Sequence, residues 1–176
     1  MDVITPILYH SPCGRLALAS CHGSLCMCDW AESPHHQQVL RRLSRELGSE
    51  LDLQPSEVTT RAMHQLDEYF SGLRREFTIP LLPTGTPFMQ RVWSALPAIA
   101  YGAAIAYASL AQSLGIPDAV RSVARAIGAN PLSIFIPCHR VIGSNGSLTG
   151  YAGGLSAKHY LLRLERSSSS HSDKLG

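Results

Sequence analysis

The chain has 176 residues, 45% of them apolar and 16% charged, with a formal net charge of +2. That length allows one sizeable domain or two small ones, and no apolar run approaches a membrane span, so a membrane-embedded protein is excluded. The amino terminus has no basic-then-apolar leader, and five cysteines in no regular framework fit free thiols in a reducing compartment. A cytoplasmic protein with no membrane partner is expected. The charge is uneven. Residues 1–85 carry seven Lys+Arg against ten Asp+Glu, a net of −3, whereas residues 86–165 carry six against two, a net of +4. A basic carboxyl-terminal half suits a polyanionic partner.

In chain order, Val3 to Tyr9, Arg15 to Ser20 and Ser24 to Asp29 read as three short strands, with turns at Pro12-Cys13-Gly14 and His22-Gly23. They make an antiparallel meander. Its cysteines are Cys13, Cys21, Cys26 and Cys28, with His10 and His22 nearby. Such residues can close a zinc tetrahedron. The spacing matches no standard finger, and a strand places Cys26 and Cys28 on one face, so no metal is expected. Pro34 to Leu47 reads as a helix ended by Gly48, with Val39, Leu40, Leu43 and Leu47 apolar and Arg41, Arg42, Arg45 and Glu46 solvated. Glu57 to Phe70 is a second, with Val58, Ala62, Leu66, Tyr69 and Phe70 inward. Phe77 to Leu82 reads as another strand. Pro80, Pro83 and Gly85 then mark a link, which sets the expected division: an α/β domain over 1–85 and a mostly helical domain over 86–166.

Thr86 is a good N-cap and Pro87 fits the first helical position. Phe88, Val92, Trp93 and Leu96 form the core stripe that follows. Tyr107 to Leu114 is a short helix closed by Gly115, and Asp118 is the expected N-cap of a second over Ala119 to Ile127. Helix, short turn and helix over about twenty residues is the helix-turn-helix arrangement. Val120, Val123 and Ile127 bury one face of the second helix, and Arg121 and Arg125 share the other. Asn130-Pro131 is a turn signal before Leu132 to Ile136, read as a short buried strand that delivers Cys138. Ser156 caps a final helix with Tyr160, Leu161 and Leu164 inward. The serine-rich tail, 167–176, is expected to be disordered.

The densest chemistry is Ile136-Pro137-Cys138-His139-Arg140. A neighbouring imidazole and local positive charge lower a cysteine pKa and activate the thiol. A cysteine next to a histidine is otherwise most simply a buried structural thiol. Here the surroundings decide. Asn130-Pro131, the pentapeptide, Tyr151-Ala152-Gly153-Gly154-Leu155 and Lys158 through Glu165 together resemble the O6-alkylguanine-DNA alkyltransferases, whose active-site signature is the pentapeptide. The likeness extends to Gln65 through Gly72, Gly85-Thr86-Pro87-Phe88, Val92-Trp93, Tyr101-Gly102 and Tyr107, covering about residue 60 to 165.

The resemblance implies a ribonuclease H-like amino-terminal lobe and a winged-helix-like carboxyl-terminal lobe. It implies repair of guanine alkylated on O6 in duplex DNA, with O4-alkylthymine as an additional candidate substrate. Cys138 attacks the alkyl carbon. His139 draws the thiol proton, in family members through a water, and Glu165 orients and charge-balances the imidazole. Tyr107 matches the tyrosine that donates to N3 of the leaving guanine. Backbone carbonyls of Cys138 and Val141 accept from the exocyclic amine, the Ala152 amide holds O6, and Tyr151, Gly153 and Gly154 build the closing loop. The target nucleotide must leave the stack, and Arg121 matches the residue that fills the gap. The recognition helix, with Ala119, Ser122 and Arg125 also facing DNA, enters the minor groove, which carries little sequence information. Asn130 bridges the helix-turn-helix and the active-site loop. No cofactor is expected, and the protein is expected to be a monomer, with cooperative assembly on DNA as the alternative. Ala106 stands where the family usually has a hydroxyl residue, Ala104-Ile105 replaces a more polar pair, and Arg125 replaces a small residue.

Two other classes compete. A DNA-binding module without chemistry is disfavoured by Cys138, which non-catalytic relatives replace. A cysteine hydrolase using Cys138, His139 and Glu165 lacks a glycine-rich oxyanion motif before the cysteine.

Overall fold

In the computed structural model the described residues are 7–146 and 151–175, with side chains to residue 169. Val3 to Pro6 of the first expected strand, and positions 147–150 of the loop after the pentapeptide, lie outside them. Strands β1 (Ile7–Ser11), β2 (Gly14–Cys21) and β3 (Ser24–Trp30) form an antiparallel sheet in the order β1-β2-β3. The second hairpin turns on His22 and Gly23, with φ of 49° and 78°. Positive φ at both central residues matches the right-handed twist of the strands. β2 and β3 slip register between Ala19 and Ser20: Ala19 pairs with Met27 and Ser20 with Leu25, which leaves Cys26 in a bulge. The extra residue reverses the alternation. Cys28 therefore packs in the core with Leu16, Leu18 and Trp30, while Cys26 joins Ala17, Ala19 and Met27 on the other face. This corrects the shared face expected of Cys26 and Cys28. All five cysteines are free thiols. Among the described residues, the potential ligand atoms that gather within 4.8 Å of one another are those of Cys21, His22 and Glu50.

Helix α1 (His36–Leu47) covers the second face through Val39 and Leu43, and Gly48 follows it. α2 (Glu57–Phe70) begins with a capping box in which Ser56 accepts from the Thr59 amide and Thr59 reaches back to the Ser56 amide. It packs Val58, Ala62, Leu66 and Tyr69 into the main core. The expected strand over 77–82 is reduced to one bridge, Leu25 to Leu81, with Leu25 and Leu82 amides bonded to Pro80 and Leu25 carbonyls. Pro80 and Pro83 lack the donors that a longer ladder needs.

α3 (Pro87–Ala95) starts as its sequence directs, with the Thr86 hydroxyl accepting from the Met89 amide and Pro87 at the first position. Buried Trp93 from this helix donates Nε1–H to the Ala126 carbonyl at 2.8 Å. A buried indole needs such a partner, and the bond fixes α3 against the helix pair α4 (Tyr107–Ser113) and α5 (Val120–Gly128). α5 is preceded by Ala119 with no side-chain cap, so Asp118 does not cap it as expected. Parallel strands β4 (Ile105–Ala106) and β5 (Val141–Ile142) bracket this pair.

The last helix, α6, runs from Gly154 to Leu175. Ser156 is therefore inside it rather than its cap. Ser167 to Leu175 stand in a helix where their composition led to an expectation of disorder. The added turns are held by tertiary bonds: Arg75 Nη2 donates to the Ser168 carbonyl and Ser169 Oγ to the Tyr101 carbonyl. One buried cluster joins β2, β3 and α2 to α3, α4, α5 and α6. The architecture is α/β, with an antiparallel sheet and helices in the first half and a helical lobe in the second.

Candidate active site

Cys138 is delivered by a turn rather than by the short strand expected over 132–136. Leu132 bridges to Cys28 of β3 and Ser133 to Ile136, and Ile134 between them has φ of 74°. A β-branched residue at positive φ is strained, so the surroundings must hold it. Asn130 does much of this. Its Oδ1 accepts from the Leu132 amide at 2.9 Å, and its Nδ2 donates to the Ile136 carbonyl at 3.0 Å and to Cys138 Sγ at 3.1 Å. One buried amide thus closes the loop and donates to the sulfur. Cys138 to Arg140 then form a single 3₁₀ turn that passes into β5.

The turn sends His139 and Arg140 onto one carboxylate. His139 Nε2 lies 2.7 Å from Glu165 Oε2, and both side chains are fully buried. Arg140 grips the same group with Nε at 2.8 Å from Oε1 and Nη2 at 3.1 Å from Oε2, while Nη1 donates to the Ile99 carbonyl. Tyr69 of α2 donates its hydroxyl to Glu165 Oε2 at 2.6 Å. Burial alone would raise the Glu165 pKa. The hydrogen bonds and positive charges of His139 and Arg140 outweigh it and hold the carboxyl at about 2. With Nε2–H aimed at this carboxylate, His139 Nδ1 becomes the basic nitrogen; it is buried without a hydrogen-bond partner among the described residues.

Cys138 is 3% exposed. Burial pushes its pKa up to about 11, opposed by the Asn130 donor and by the nearby Lys158 ammonium. The resting sulfur is therefore a thiol. Lys158 of α6 is fully buried and donates Nζ–H to the Val141 carbonyl at 2.6 Å. Its nitrogen sits 5.6 Å from the Tyr107 ring centre and 6.0 Å from that of Tyr151. Burial lowers its pKa to about 8. Tyr107 opens α4 and is 8% exposed, its pKa pushed up to about 12, first by burial and then by Cys138. Tyr151 packs edge-on against Trp30 of β3. Gly153 lies so close to the same indole that a Cβ would stand 2.5 Å from Trp30 Cε2, so only glycine fits.

The structure thus gathers Cys138, Asn130, Tyr107, Val141 and Tyr151 around Lys158 and the thiol, with His139 and Glu165 directly behind. The Val141 carbonyl already accepts from Lys158, leaving one lone pair for another donor. Arg121, Ser122 and Arg125 are exposed on α5 and Ala119 is half-buried before it. Three participants were missed as site residues: Arg140, Tyr69 and Lys158. Arg140 lies within the pentapeptide, and a charged residue in so apolar a run signals a buried partner. Lys158 stands one position after buried Ala157. Tyr69 carries no signal beyond its inward phase on α2.

The family model for the DNA binding domain of 6-O-methylguanine DNA methyltransferase matches residues 87–167, and that for its ribonuclease-like domain matches residues 4–83. The constitutive methylated-DNA–protein-cysteine methyltransferase of Bacillus subtilis is 53% identical over 106 residues, 60% of this chain and 64% of the relative. The chain thus spans just under two thirds of that relative's length. The corresponding protein of Methanosarcina acetivorans is 49% identical over 60% of this chain and 68% of its own. Among solved structures, the O6-methylguanine methyltransferase of Mycobacterium tuberculosis superimposes with a TM-score of 0.77 at 38% identity, covering 92% of both chains. A structure from that organism in complex with DNA gives 0.76 at 39%, again over 92% of both chains. The chain belongs to the 6-O-methylguanine DNA methyltransferase family.

Proposed function

We propose that this chain repairs DNA by taking the alkyl group of O6-alkylguanine onto its own Cys138, once per molecule. The observation that carries the reading is a pair of buried hydrogen bonds at adjacent residues, Asn130 on the Cys138 sulfur at 3.1 Å and His139 on Glu165 at 2.7 Å. Cys138 Sγ attacks the alkyl carbon in line; the S–C bond forms as the C–O6 bond breaks, and its electron pair leaves on guanine. The thiol proton passes to His139 Nδ1 through a bridging water, since Nδ1 has no hydrogen-bond partner among the described residues. Glu165, itself held by Arg140 and Tyr69, orients the imidazole and balances its charge. Tyr107 donates to guanine N3, so that the departing base is not released as a bare anion. Because a thiol near pKa 11 is scarcely ionised at neutral pH, proton removal must accompany attack, and the Asn130 donor and Lys158 charge favour the developing thiolate.

The thioether product cannot be hydrolysed back under mild conditions, so the reaction is stoichiometric. The substrate base reaches Cys138 by leaving the duplex, with Arg121 filling the gap from the minor groove. Tyr151, Ala152 and Gly153, backed by Trp30, close over it. The protein acts as a monomer in the compartment that holds the chromosome. Incubation with duplex DNA labelled on the methyl of O6-methylguanine tests this reading: label should move to the protein up to one equivalent and map to Cys138. Binding without transfer overturns it.

A further inference from the structure

Residues 1–85 are net acidic, yet three of their seven basic residues lie together on α1: Arg41, Arg42 and Arg45. Arg42 and Arg45 stand three apart and share a helix face. That face meets the end of α5 across a cleft of about 700 Å³ that Gln38, Arg42, Arg45 and Arg125 line, and that ends at Tyr151-Ala152. Arg42 ties the two walls together, donating Nη2–H to the Ala129 carbonyl at 2.8 Å, while its Nε is buried with no partner among the described residues. Arg45 and Arg125 are exposed on opposite walls. Among the described residues, no carboxylate lines the cleft. Of the two acids whose fields reach Arg42, Asp29 is buried and engaged by His36 Nδ1 at 2.7 Å, and Glu46 faces solvent.

A planar guanidinium matches a phosphate in shape and charge, and Arg45 and Arg125 line this one cleft beside the loop assigned to the flipped base. We propose that this cleft is a second DNA contact, in which Arg45 and Arg125 each neutralise a backbone phosphate beside the modified nucleotide, so that the ribonuclease-like lobe takes part in binding. This rests on the reading that the chain acts on DNA. A strand whose base enters past Tyr151-Ala152 must run its backbone along the mouth of that loop, where the cleft begins. The arrangement also gives Arg125 a task suited to its departure from a small residue.

The test is the salt dependence of binding to an O6-methylguanine duplex, measured by anisotropy on the full chain with Cys138→Ser to prevent transfer. Each phosphate contact contributes about 0.9 to the slope of log affinity against log salt. Arg45→Ala and Arg125→Ala should each flatten the slope by about 0.9 and the double variant by about 1.8. Each single variant then loses about 3.5-fold less affinity than its parent between 50 and 200 mM salt. Arg45→Lys, which keeps the charge, should retain the parent slope. Arg41→Ala, on the same helix but outside the cleft, should also leave it unchanged. Equal slopes for Arg45→Ala and Arg41→Ala overturn the cleft as a contact. So does equal flattening by both, which means general attraction rather than a site. A wild-type chain that takes up no methyl label overturns the repair reading instead, whatever the slopes show.

Discussion

Replacing Glu165 by glutamine should destabilise the fold before it says anything about catalysis. The carboxylate is fully buried and accepts from His139, Tyr69 and both near nitrogens of Arg140 within 3.1 Å. A glutamine keeps one oxygen and turns an NH₂ group toward these donors. It also leaves the buried Arg140 guanidinium without its counter-ion, which typically costs about 3–5 kcal/mol. Linkage gives the same scale independently. A carboxyl held at about 2 against an ordinary 4.5 corresponds to about 3 kcal/mol. In a protein of this size that lowers Tm by about 6–20 °C. The folded pKa is depressed, so the contribution is whole above pH 4.5 and disappears as pH falls from 4.5 toward 2. Thermal melts of both proteins at pH 7 and pH 3 should show a wide gap that narrows in acid. A gap below about 1 kcal/mol at pH 7, or one that does not narrow, refutes the reasoning. Where the variant remains folded, methyl transfer should slow and the kinetic pKa of the thiol should rise, because the imidazolium has lost its partner.

Cys138→Ser should abolish label uptake and leave DNA binding intact; uptake on another cysteine at the normal rate removes Cys138 from the mechanism. Methylation of Cys138 should lower Tm, since a carbon added to a sulfur 3% exposed and 3.1 Å from Asn130 Nδ2 overpacks the site, at about 1–3 kcal/mol; an equal or higher Tm of the methylated protein counts against this. Gly153→Ala should push the closing loop off Trp30 and weaken reaction with the free modified base, and a variant that reacts at the parent rate shows that the loop tolerates the shift. Arg121→Ala should slow repair in duplex DNA far more than reaction with the free base, which needs no flipping; equal losses on both substrates exclude the gap-filling role.

Local signals announced some helix starts and missed others, Asp118 and Ser156 among the misses. Ser56 before Glu57 and Thr86 before Pro87 fix two helix starts through bonds between neighbours in the chain, so the sequence displays them. What it could not display depends on partners far away. Leu132 to Ile136 has the composition of a strand but folds as a turn, because Asn130 supplies the bonds that a neighbouring strand would have given. The bulge at Cys26 changes which face each later residue of β3 occupies, and nothing in the alternation of that segment marks it. Glu165 reads as an ordinary surface carboxylate from its neighbours, yet it is buried by Tyr69, 96 residues earlier, and by Arg140, 25 residues earlier. Cys138 and His139 stood out by their adjacency and Glu165 only through the resemblance to the alkyltransferases; the residues that hold them were legible only in space.

That holding network explains why the reactive cysteine needs the first half of the chain. Tyr69 reaches Glu165 from α2, Trp30 supports Tyr151 and Gly153 from β3, and the Cys28 amide and carbonyl pin the Pro131–Ser133 turn. Each contact ends within a few residues of a group assigned to the reaction. Removing them would leave a buried carboxylate with one donor fewer, a glycine loop with no wall, and Ile134 at a strained φ with less to hold it. Each such loss typically costs about 1–3 kcal/mol, against a total stability of about 5–15 kcal/mol. If Cys138 acts as proposed, the site must keep a thiol buried until one reaction and then hold added volume beside it, which requires a rigid frame. The sheet and α2 supply that frame, so the ribonuclease-like lobe supports the proposed site although it contributes no atom to the bond proposed to transfer.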